Sequence, residues 1–123
     1  PCVAARPGGT YLSEVGWETT VARIDCRFVI RSFIPVKGGK PGEGEWKEAS
    51  VEGIFDGKTS DVLRIVVPPA QAGPGRRVLG FKTPPVADWP ARDNSYVAMD
   101  VTQYTSAGNI LVTKSLFMAA CVP

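Results

Sequence analysis

Three arginines at four-residue spacing, Arg23, Arg27 and Arg31, are the side chains of this sequence best arranged to do chemistry. Each presents a planar fork of N–H donors that fits a phosphate or a carboxylate. On a strand, residues four apart share a face and stand about 13 Å from one to the next. Asp25 falls on the same face between the first two. Arg76, Arg77, Lys37 and Lys40 extend the stripe if their loops lie at the same end of the fold. The partner such a patch implies is an anion: nucleic acid, an acidic glycan or an acidic protein surface. The competing expectation is a solvated sheet face on which the arginines pair across strands with Glu48, Glu52 or Asp100.

A second group sits in the segment 83–94, which holds three prolines, Trp89, Arg92 and Asp93. A loop tryptophan between Asp88 and Pro90 either plugs the end of a β-structure or anchors a partner. Trp46, flanked by Glu45 and Lys47, is expected at the core edge. Tyr11, Tyr96 and Tyr104 do not line up with the arginines by spacing, so the stripe supplies no stacking platform of its own.

The sequence contains no histidine, which removes the common triads and histidine-ligated metals. Enzymatic chemistry then falls to a lysine of depressed pKa, to an N-terminal proline amine, or to carboxylates at Asp88 and Asp93, or at Glu43, Glu45, Glu48 and Glu52. A glycosidase needs two of them across a cleft with one pKa raised. Pro1 is a secondary amine only if the natural chain begins there, and isomerases that use one alternate strands with helices. Cys2, Cys26 and Cys121 lack the close spacing of zinc or thiol-redox sites, so neither a metal nor a cofactor is expected. Cys26 and Cys121 fall on the apolar side of their strands, as reduced core residues or as a bridge between neighbouring strands. Cys2 and Cys121 are the alternative pair, stapling the termini.

The elements that must position these residues follow from periodicity. In residues 21–32, Ala22, Ile24, Cys26, Phe28 and Ile30 alternate with the arginine face, which is the signature of a half-buried strand. Residues 11–15 form a short strand or lead into the long one, which begins near Trp17 and stops at Pro35, because proline has no N–H for a ladder. Residues 1–9 read as a flexible N-terminal arm. Residues 46–55 form a further strand, and Asp56-Gly57 is a hairpin signal with residues 62–67 as partner. A short strand at 77–81 and a final hairpin of 96–104 with 110–121 complete the set. No window carries the apolar spacing of an amphipathic helix, and 13 glycines and 11 prolines interrupt the chain.

The expected fold is one all-β domain over residues 1–123, a sandwich or partly closed barrel of about six to eight mostly antiparallel strands with at most one short helix. A net charge of +2 is too small for general polyanion binding. No apolar run reaches the roughly 18 residues that cross a bilayer. The function expected is a non-enzymatic domain that recognises another protein or assembles with copies of itself, as in a secreted recognition protein or a virion component. The alternative is an anion-binding module built on the arginine stripe, with a small carboxylate-dependent hydrolase as a weaker one.

Overall fold

The structure, a computed structural model, describes residues 3–71 and 73–123. The strands are β1 (Val3–Ala5), β2 (Thr10–Trp17), β3 (Arg23–Pro35), β4 (Gly44–Phe55), β5 (Lys58–Ser60), β6 (Leu63–Val66), β7 (Gly75–Lys82), β8 (Ser95–Tyr104) and β9 (Ile110–Cys121). Among the described residues helical structure is confined to single 3-10 turns at Pro69–Gln71 and Val86–Asp88. The strands form one sheet in the order β1-β9-β8-β3-β4-β7-β2, with β5 on β4 and β6 on β3. The sheet is nearly closed into a barrel. The all-β expectation therefore holds, and two of the nine strands, β1 and β5, are three-residue pieces.

The alternation in β3 organises the barrel. Ile24, Cys26, Phe28, Ile30 and Ser32 point inward and are fully buried, while Arg23, Asp25, Arg27 and Arg31 face out. Burying side chains of the Ile and Phe size stabilises by roughly 1.5–3 kcal/mol each. Phe28 packs on Phe81 of β7 with ring centroids 5.0 Å apart. One edge of β3 pairs with β8 from Arg23 to Ser32. The other edge is shared, by β6 over Arg23 to Cys26 and by β4 from Phe28 to Pro35. Gly53 of β4 sits where one partner gives way to the other: a Cβ there would lie 2.9 Å from Leu63 Cδ1. Ser32 and Ser95, opposite each other and buried, share a 2.6 Å hydrogen bond, and Ser95 Oγ also donates to the Ala91 carbonyl. Both hydroxyls are thus satisfied inside the core.

Three expectations need correction. The segment 1–9 is not all arm, because β1 pairs in parallel with Ala119–Cys121 and Ala5 is fully buried. Pro1 and Cys2 lie outside the described residues. The long strand expected from near Trp17 begins only at Arg23, with residues 18–22 separating it from β2, which is a strand of its own. Asp56 and Gly57, at φ 52° and 73°, do form the expected turn. Both central φ values are positive, as a type I′ turn requires. Its partner strand is nevertheless β5, with Phe55 opposite Lys58, whereas β6 crosses to β3.

The barrel is left open at one seam. β2 pairs with β7 on one side and ends the sheet on the other. β9 pairs with β8, and its outer edge meets β1 only from Ala119 to Cys121 among the described residues. Across the seam the bonds involve side chains, Ser13 Oγ to Met118 Sδ at 3.0 Å and Gln103 Nε2 to the Gly16 carbonyl at 3.2 Å.

Candidate functional site

The outer face of β4, β3, β8 and β9 gathers the three arginines of β3 and two of their expected carboxylate partners, and it does so by cross-strand pairing. Arg31 lies opposite Glu48, and Arg27 opposite Asp100. Arg31 grips Asp100 with both terminal nitrogens, Nη1 to Oδ1 at 2.9 Å and Nη2 to Oδ2 at 2.6 Å. Its Nε lies 3.3 Å from Glu48 Oε2, and Nη1 also donates to Ser115 Oγ. Arg27 Nη2 lies 2.9 Å from Glu48 Oε1 and 3.8 Å from Asp100 Oδ2. Two guanidiniums and two carboxylates therefore alternate around one cluster whose formal charge is zero. The bond from Arg31 holds the Asp100 carboxyl below its usual range, and the same contact raises the Arg31 pKa. A glycosidase acid needs a shift in the opposite direction.

At the other end of the face, Arg23 lies over the Tyr104 ring at 4.0 Å, with its Nε 3.5 Å from Asp25. Arg64 of β6 approaches the same carboxylate at 3.1 Å. Asp25 is thus shared by two arginines, so this end of the stripe keeps one positive charge while the Arg27 and Arg31 end is neutral. Glu52, named as a possible partner, instead lies opposite Lys82.

Beyond Arg31 the face becomes aromatic. Phe33 and Trp46 are cross-strand partners at 5.4 Å, Trp46 meets Tyr96 edge-on at 6.1 Å, and Tyr96 stacks on Phe117 at 5.4 Å and 25°. Four rings from β3, β4, β8 and β9 form a continuous row. Trp46 is 61% exposed and Phe117 48%, so the expectation that Trp46 fills the core edge is wrong. Sequence reading missed the row because its members span four strands. Period two, continued from Arg31 to Phe33, was the one local sign of it.

The remaining predicted residues lie elsewhere. Gly44 pairs with Pro35 and Val66 with Arg23, so the loops carrying Lys37 and Lys40, and leading to Arg76 and Arg77, lie at opposite ends of β3. One continuous patch is therefore ruled out. Arg76 pairs with Glu14 at 3.4 Å, while Arg77 stacks over Trp17 at 5.2 Å and donates to Gln71. Trp89 is 6% exposed and donates from Nε1 to the Pro84 carbonyl at 2.8 Å. It is a plug in the core, not an anchor for a partner. Arg92 is exposed. Cys26 and Cys121 are buried free thiols on strands separated by β8. Cys26 is level with Val101 and Lys114, seven residues short of Cys121, far beyond the reach of a disulfide. Burial pushes the Cys26 thiol up to about 12 and that of Cys121 up to about 11. The Cys2 pairing lies outside the described residues.

Among the described residues no group of three or more Cys, Asp and Glu side chains is placed to hold a metal ion, and no helix is long and apolar enough to cross a membrane. Comparison with protein-family models, with curated proteins and with solved structures gives no match.

Proposed function

We propose that this domain is a protein-recognition module that binds through the outer face of β4, β3, β8 and β9, centred on Trp46 and Phe117. The observation that carries this reading is the row of four touching rings, two of them about half exposed or more, beside a self-neutralised arginine and carboxylate cluster. Aromatic and arginine side chains are the types enriched at protein interfaces and among their energetic centres. Ion pairs already formed on the surface orient the arginines before a partner arrives and lower the ordering cost of binding.

The anion-binding reading has less support. Stacking nucleobases need an open ring face, and Tyr96 and Phe117 turn faces toward each other. A phosphate bound at Arg31 would have to displace the paired Asp100.

The test is capture from the native source on the immobilised domain, comparing wild type, the double variant Trp46→Ser and Phe117→Ser, and a control, Leu12→Ser. Leu12 is 79% exposed on β2, away from the aromatic row. The expected result is one protein, another or this chain itself, retained by wild type and control and lost by the double variant. Equal retention by all three would overturn the assignment.

A further inference from the structure

We infer that the seam between β2 and β9 is a second binding site, one that accepts an extended, acidic peptide strand and closes the barrel by adding it to the sheet. A cavity of about 620 Å³ opens there, a volume within the range of built ligand sites. Gly16 and Trp17 of β2 form one wall, Val112 and Lys114 of β9 another, and Gln103 the floor.

The argument for a strand is the backbone. Two strand edges face this space, and neither is paired along it among the described residues. Unpaired N–H and C=O groups on an edge are a template for another chain. The Gly16 carbonyl already turns toward the seam, where it accepts from Gln103 Nε2. Gln103 is 3% exposed, and that bond is the one its side chain makes among the described residues. A side-chain amide has a second N–H and an acceptor oxygen to offer, so a buried group with spare capacity faces the cavity. Where β2 and β9 do touch, at Ser13 and Met118, the contact is between side chains. The cavity opens beyond that contact, beside Gly16, Trp17, Val112 and Lys114.

The argument for acidity is Lys114. It lines the cavity and has no carboxylate within ion-pair distance among the described residues, whereas the neighbouring Arg76 is engaged by Glu14. Glu18 lies on the rim and disfavours a second negative charge there. One carboxylate on the incoming strand, level with Lys114, satisfies this arrangement.

The probe is a displayed library of peptides about seven residues long, a strand's length, panned on the intact chain. The best binder is then synthesised and studied by hydrogen exchange. Binders carrying an acidic residue are expected, with slowed exchange, by about tenfold or more, in residues 12–17 and 111–116. Lys114→Gln is expected to weaken them about tenfold while melting like the wild type. The double variant at Trp46 and Phe117 should bind them unchanged, which separates this site from the outer face. No binder from the library, protection confined to the outer face, or unaltered affinity in Lys114→Gln would overturn the inference.

Discussion

Replacing Asp100 by asparagine removes the carboxylate that Arg31 holds with two bonds and Arg27 approaches at 3.8 Å. A hydrogen bond to a charged group contributes about 1.5–3 kcal/mol when sheltered, and an exposed ion pair about 0.2–1 kcal/mol. The two side chains are 22% and 30% exposed, so solvent screens part of the interaction but not most of it. A loss of about 1–2 kcal/mol follows, or roughly 3–8 °C in Tm for a domain of this size. The pH dependence fixes the cause. Asp100 titrates lower in the folded chain than its unfolded value of about 3.9, so its contribution is complete above that value and disappears as pH falls through the folded one. The gap between wild type and Asp100→Asn should therefore be full at pH 7 and, shrinking from about pH 4 downward, be gone at a pH below the lowered folded value. Urea unfolding followed by tryptophan fluorescence at both pH values measures it, and a cycle with Arg31→Ala isolates the pair. A gap that persists in acid, or a coupling below about 0.3 kcal/mol, would mean that the cluster is solvated. The arginines would then be free for anions after all.

Two further outcomes test the fold around the site. With Cys2 replaced by serine, Cys26 and Cys121 should resist alkylation at pH 8, because thiols at about 12 and about 11 hold at most about one thiolate in a thousand. Mass spectrometry should find both modified only once the chain unfolds, and rapid native labelling of either would contradict their burial. Gly57→Ala should cost about 1 kcal/mol by chemical denaturation, because φ is 73° and an added Cβ meets nothing within 4 Å, leaving backbone strain alone. A cost near zero would mean that the turn does not hold its left-handed geometry.

The alternation of Ile24, Cys26, Phe28 and Ile30 with Arg23, Asp25, Arg27 and Arg31 was enough to read a strand, both its faces, and carboxylate partners for the arginines. These are properties of one segment and of complementary charge. Which strand lies beside which is not local. Asp56-Gly57 specifies a turn, but nothing in it reveals that three residues complete the hairpin before Leu63 and Ile65 cross to fill the core under β3. The aromatic row needs the registers of three strand pairs at once, so spacing alone missed Tyr96 and Phe117. Trp46 was misplaced because flanking charges do not tell a core edge from an exposed face. The seam was invisible for a related reason: whether a sheet closes depends on the twist and tilt summed over every strand.

β3 acquires its partners in two stages, β4 and β6 soon after it in the chain and β8 much later. Arg31 and Asp100 are 69 residues apart, so at about 5–20 residues per second β3 leaves the ribosome some 3–14 s before the strand that covers its longer edge. Throughout that interval the edge of β3 from Arg23 to Ser32 is an open ladder beside an apolar inward face. The guanidiniums on its outward face then lack Asp100 and repel an identical neighbour. Charge on an open edge strand opposes pairing between copies, so Arg27 and Arg31 have that effect in the nascent chain before they become half of the ion-pair cluster.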